Sequence, residues 1–449
     1  MRKLRLFFIV SMLLTGMLSN SCKKSDTATD PVPVVPPGVG EYVGTITVHS
    51  QADTILAYFL KKDYNRITGT LELYTSDDID FSKFLVNLKS VNGSVRLYKI
   101  RNSNLSFLSK VTKITGDLQI SACPGLTSLA GLSKLDTLTN NLIIENNPKI
   151  ANLNGIGAVI TLTNLYVTGN SLIQSLSGLG SLTSVSGGIF IGDNPVLTSL
   201  SGISNVETIK VNAFIYNNNL QSSLEGLNKL KSIDGNLTLS GLPVISDLTA
   251  LKTLNDTITS VSISGCNNLT NLEGFNNLPH IKKDLSLVNC NKIANLQGLT
   301  KVDTVGGTFT LTQLSALTSF TGATALKGIK KDLRIVGCNA LTSLAGLTKL
   351  DRINGNFILD DNLSLLNLNG VDALKLVKGK MQIVYNDQLT SLNGLAPLKT
   401  ISGDIDIYYN PKLTSYCALK PDVFSGIPYI GSNGYNPTWA QIVAGSCSK

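Results

Sequence analysis

Histidine is almost missing from this sequence. His49 and His280 are the two in a chain of 449 residues. They fall many repeats apart in the period described below, so neither a Ser/His/Asp arrangement nor a His-based metal cluster can assemble around them. Both read as surface or loop residues. Charge is scarce too, at 15% of residues against 43% hydrophobic, which leaves too little for the solvent faces of many helices and favours β structure. No internal segment offers the roughly 20 consecutive apolar residues that a spanning helix needs. The net charge of +8 drops to +5 without Arg2, Lys3 and Arg5, and the remainder is spread along the chain with no dense Lys/Arg cluster, so nucleic acid is not an expected partner. Gly187-Gly188 and Gly306-Gly307 precede no predicted helix, which removes them as phosphate loops.

What is present begins with an export signal. Arg2, Lys3 and Arg5 precede an apolar run from Leu6 to Leu18, too short to cross a bilayer. Leu18-Ser19-Asn20-Ser21-Cys22 resembles the lipobox of bacterial lipoproteins. That resemblance implies cleavage before Cys22, lipidation of Cys22 and an outer-membrane lipoprotein of the cell envelope, facing the periplasm or the surface; the alternative is ordinary secretion with an incidental cysteine. Residues 1–21 are thus assigned to a signal peptide. Residues 22–40, with Pro31, Pro33, Pro36 and Pro37, are assigned to an extended, solvated tether, membrane contact being through the lipid anchor only.

Beyond the tether the chain repeats. An apolar-x-aliphatic pattern starts at Leu71, Val95, Leu118, Leu142, Leu165 and Ile189, and from Ile189 to Ile405 each step is 24 residues. Two apolar residues two apart point to one side of a strand, and the following spacings of three mark turns that keep directing side chains inward as the chain bends round. No single 24-residue coil buries its own inward residues, so coils must stack. The expectation is an all-β dominated solenoid: a leucine-rich-repeat-like, right-handed β-helix of about 15 rungs with a 24-residue period and short helical caps. It is divided into an N-terminal cap at 41–70, a solenoid at 71–416 and a C-terminal cap at 417–449.

Two columns support this. Five residues after each strand start stands Asn147, Asn170, Asn194, Asn218, Asn362, Asn386 or Asn410, or else Cys123, Cys266, Cys290 or Cys338, with Leu242 and Leu314 as breaks. A buried amide there satisfies turn backbone groups, and a thiol is compact enough to replace it. These cysteines therefore read as core rather than as zinc ligands, and no metal or cofactor is expected. A glycine column from Gly131 to Gly394, broken by Ala250, calls for a positive φ or a close approach. LxIxxN followed by LxxLxGLxxLxxIxG resembles leucine-rich repeats and, more closely, the receptor L-domain family, across nearly the whole mature chain. The resemblance implies a non-enzymatic ligand-binding or scaffolding module.

The ends need covers, since an open solenoid exposes its core and an edge strand. Thr45 to Val48 reads as a strand, and Ser50-Gln51-Ala52-Asp53 resembles a capping box opening a short helix through Ile55, Leu56 and Phe59. Asn436-Pro437-Thr438-Trp439 starts a second helix that Gly445 ends. Cys417 and Cys447 bracket this segment and read as a disulfide pair in an exported protein, the alternative being two free thiols. Asp77-Asp78 and Asp360-Asp361 could bind calcium or act as acid and base, but adjacent carboxylates in turns are usually solvated.

Function is sought on the outward strand positions, which the fold does not use. There Ile143, Tyr166, Phe190 and Phe214 are consecutive, with Tyr216 on the same face, and form the candidate ligand-binding patch. The alternative is rings that merely stack on one another or lie under a loop. Tyr385, Tyr408 and Tyr409 are a second candidate, unless they dock the cap. The expected function is that of a non-catalytic, lipid-anchored cell-envelope recognition or adhesion protein with a protein or glycan ligand. The alternative is a structural envelope spacer with none.

Overall fold

The computed structural model describes residues 40–53, 55, 64–420 and 422–449. The signal segment, Cys22, the tether short of Gly40 and the front helix through Leu56 and Phe59 lie outside the described residues.

The chain is a parallel β-solenoid. Its main ladder runs from Ile46–Val48 and Leu71–Tyr74, rung after rung, to Ile405–Tyr408 and Pro428–Gly431, each strand parallel to the next. Among the described residues this ladder has 17 strands, two more than the 15 rungs expected, because each end segment contributes one. Positions one and three of each strand up to Ile405–Tyr408 are buried and positions two and four are mostly half-exposed, as in Leu165–Thr168, while in the last strand, Pro428–Gly431, none is fully buried. The period-2 pattern therefore becomes an apolar inner wall and a polar or aromatic outer one. A second, shorter ladder forms where the repeat reads IxG, for example from Thr161–Leu162 to Ser232–Ile233 and from Thr304–Val305 to Val423–Phe424. Between the two ladders the leucines of the repeat fill a continuous core, nearly all at 0% exposure.

The polar column inside this core is a hydrogen-bonded chain. Asn194 Oδ1 accepts the Asn170 N–H at 3.0 Å while its Nδ2 donates to the Val167 carbonyl at 2.8 Å, so each amide clamps the turn of the rung before it. The column has a member at the last rung that the repeat pattern hides: Asn433 Oδ1 accepts from Asn410 N, and Asn433 Nδ2 donates to Ile407 O. The cysteines of the column are fully buried. Burial pushes Cys123 and Cys338 up to about 11, so they persist as neutral thiols.

The residue before that column, position five, has a positive φ on every rung from Lys99 to Ser432. Sequence reasoning assigned the glycine column a positive φ or a close approach. Positive φ holds for Gly155, Gly178, Gly226 and the five members from Gly298 to Gly394, whereas Gly131, Gly202 and Gly274 serve the close approach: a Cβ on Gly131 would lie 1.7 Å from the Leu105 oxygen. Ala250 stands within the 3-10 turn Thr249–Leu251, which asks for no positive φ.

At the front, His49 and Ser50 donate their backbone N–H groups to the Asp53 carboxylate. At the back, Thr438 caps the helix Trp439–Val443 in a capping box with Gln441, and Gly445 follows at φ +90°. Trp439 packs against Phe424, the Tyr416 hydroxyl donates to the Tyr435 carbonyl, and a Cys417–Cys447 disulfide joins the two ends of the segment. No helix of the described residues is long and apolar enough to cross a membrane.

Candidate aromatic binding face

The register of the ladder decides which outward side chains meet. Tyr166, Phe190 and Phe214 are direct cross-rung partners at position two. Their rings stack: Tyr166 and Phe190 lie 4.5 Å apart and within 7° of parallel, Phe190 and Phe214 5.3 Å apart and within 23°. Ile143 precedes them as the partner of Tyr166. All four are half-exposed, as is Tyr216 at position four.

Tyr216 depends on the absence of a side chain at Gly192, where a Cβ would fall 2.2 Å from its ring. The ring lies in that gap, leaning back along the face. Glu145 and Thr168 continue position four on the preceding rungs. Burial pushes the Glu145 carboxyl up, and burial followed by nearby carboxylates, Glu145 among them, pushes the Tyr166 and Tyr216 hydroxyls up. The patch is therefore aromatic, half-desolvated, and edged by the carboxyl groups of Glu145, Asp117 and Asp193.

This arrangement changes what the rings can do. Both faces of Phe190 are occupied by its neighbours, so the rings offer a ligand their edges and only the two end faces. Beyond Phe214 the outward residues shrink to Thr238, Ser262 and Ser286, which with Asn236, Ser260 and Asp284 line a hollow of about 310 Å³.

The second tyrosine group is more open. Tyr385 is 38% exposed, Tyr409 48% and Tyr429, which belongs to the C-terminal segment and which sequence reasoning did not include, 58%. Tyr385 and Tyr409 stack at 4.9 Å, and Tyr408 stands nearly perpendicular to both and to Tyr429. Sequence reasoning also missed Tyr74 and Tyr98, stacked at 4.7 Å near the front with the Lys99 ammonium 5.1 Å from the Tyr98 centroid. Their common place at position four was the available signal.

His49 meets Tyr74 edge-on, far from His280. Among the described residues no group of three or more His, Cys, Asp and Glu is arranged to hold a metal ion.

No curated protein matches the chain. Residues 65–199 match the family model described as Receptor L domain, and the ladder carries the same repeat in register to Gly431. The repeats of this chain are thus similar to those of receptor L domains, a non-enzymatic, ligand-binding type of module.

Proposed function

We propose that the protein is a non-catalytic recognition or adhesion protein, lipid-anchored in the cell envelope through Cys22, that binds a protein or glycan through the outward face of its solenoid at Ile143, Tyr166, Phe190, Phe214 and Tyr216. The observation that carries this reading is the half-exposed aromatic stack on positions that contribute nothing to the core. Large apolar groups are kept off such positions unless they are covered by something. The match to a ligand-binding repeat module points the same way.

A rod-like spacer is the second reading, because cross-rung stacking also stiffens a sheet. The two separate in one experiment on the full chain in detergent. Glycan and envelope-protein arrays are probed with the parent and with a Tyr166→Ala, Phe190→Ala, Phe214→Ala variant. Recognition predicts a ligand whose binding is lost in a variant that stays folded. A spacer predicts no ligand and a lower melting temperature. Anchoring is tested separately: Cys22→Ala should move the protein from the membrane to the soluble fraction.

A further inference from the structure

Two features that the sequence separates, the acidic pair Asp360-Asp361 and the tyrosines Tyr385, Tyr408 and Tyr409, occupy adjacent rungs in the structure. Asp360 is the direct partner of Val384, and Val384 of Tyr408. Asp361, Tyr385 and Tyr409 are therefore successive members of position five.

The Tyr385 and Tyr409 rings are 4.9 Å apart and within 15° of parallel, which is the spacing of neighbouring strands, about 4.8 Å. Their stack runs along the solenoid axis. The shared faces are closed, but the other face of Tyr385 looks back along position five, where the next two rungs carry the short Asp361 and then Gly337, with no side chain at all. On the far side of Gly337 stands Gln313, whose Cγ would be 3.4 Å from a Cβ at that glycine. The result is a notch over Asp361, with the Tyr385 ring as one wall and Gln313, which leans over Gly337, as the other. Asp387 lies close enough to Asp361 for its charge to act on it, and Arg334 acts on Asp360 in the same way.

Both tyrosines hold a left-handed backbone, φ +56°, a conformation that disfavours bulky residues. Lys99 and Gln313 also hold this position, while the other rungs carry glycine, asparagine or another short residue. Tyr385 and Tyr409 are its two aromatic members between Lys99 and Ser432, and they stand on adjacent rungs.

We propose that this notch is a carbohydrate-binding site for a neutral pyranose unit, whose C–H face stacks on the open face of Tyr385 and whose hydroxyls donate to the Asp361 and Asp360 carboxylates. Ring faces attract polarised C–H groups, and carboxylates are strong, two-point acceptors for neighbouring hydroxyls. Three aspartates against one arginine repel acidic sugars. The site stands independently of the patch at Tyr166–Phe214.

The test is calorimetric titration of the full chain in detergent with a panel of neutral hexose and pentose oligosaccharides, with a uronate oligosaccharide as counter-probe and one arm in EDTA. The expected result is saturable binding of a neutral member, unchanged by EDTA and unchanged in the Tyr166→Ala, Phe190→Ala, Phe214→Ala variant. Tyr385→Gly, which removes the ring and relieves the backbone, and Asp361→Asn each weaken it about tenfold, the loss of one stacking contact or one charged acceptor. Tyr385→Gly leaves the melting temperature unchanged or higher. No binding by any neutral member, preference for the uronate, loss in EDTA, or binding indifferent to Tyr385→Gly each overturns the proposal.

Discussion

The rungs from Leu142 to Tyr216 and those from Phe357 to Gly431 differ from the rungs between them on both sides of the same strands. In the outer two blocks the inward column is asparagine and the outward face carries the rings. In the middle block the column reads Leu242, Cys266, Cys290, Leu314 and Cys338, and position two is Thr238, Ser262, Ser286 and Thr310, with Arg334 on the last of these rungs. An amide in the column makes two hydrogen bonds to the rung before it, as Asn386 does through Leu359 O and Asn362 N, and Asn410 through Ile383 O and Asn386 N. A thiol reaches only the carbonyl, and weakly: Cys290 Sγ lies 3.8 Å from Ile263 O and Cys266 Sγ 4.0 Å from Leu239 O. The aromatic groups at Tyr166–Tyr216 and Tyr385–Tyr429, unlike Tyr74 and Tyr98, thus sit on the rungs whose turns are clamped most firmly, the arrangement a site needs if its groups are to be held in place.

The largest test of that difference is to remove one column side chain from each kind of rung. Asn194→Ala leaves the buried Asn170 N–H and Val167 carbonyl without their partner and should cost about 3 kcal/mol. Cys290→Ala loses one atom and a weak contact and should cost about 1 kcal/mol. Denaturant melts of the two variants, with hydrogen exchange at the Asn170 amide, check the contrast. Equal costs would mean that the amide column is filler.

A smaller effect separates position five from its neighbours. Asn410 and Asn433 clamp the turns that hold Tyr385 and Tyr409 at positive φ. For a residue other than glycine that backbone costs about 1 kcal/mol, while the stacked pair returns about 1 kcal/mol. Tyr385→Gly should therefore melt within a few degrees of the parent, and Tyr216→Gly, which relieves no such backbone and uncovers Gly192, should melt lower.

The fold was legible because most inward positions are apolar on every rung, so the period survives as 24 residues, or 23 at the steps to Leu118 and Leu165. The last rung was not, because Pro428 begins it and a proline reads as a strand break. As a terminal strand it has a free edge, and there a missing donor is tolerated. The site was legible only as a column of rings. That Tyr166, Phe190 and Phe214 would close one another's faces depends on side-chain rotamers, and that Tyr385 would face Asp361 depends on the left-handed turn at position five. Neither leaves a mark in the spacing of apolar residues.

The smallest expected effect concerns acid. Burial, the first cause in each case, raises the carboxyl groups of Glu145, Asp360 and Asp361 above their ordinary values, with Asp361 adding to Asp360 and Asp387 to Asp361. A carboxyl whose folded pKa exceeds its unfolded one binds its proton more readily in the folded state, so its contribution is fully present below the unfolded pKa and is lost as pH rises through the folded one. These two blocks should therefore grow more stable as pH falls from neutral toward the ordinary carboxylate range, while the middle block, with hydroxyls at position two, does not change in this way. Glu145→Gln removes one such group. Its melting temperature should exceed that of the parent at neutral pH, and the gap should close on acidification. A gap that stays constant with pH would mean that Glu145 carries its charge at no cost at the edge of the aromatic stack, and that the patch is wetter than its half-buried rings imply.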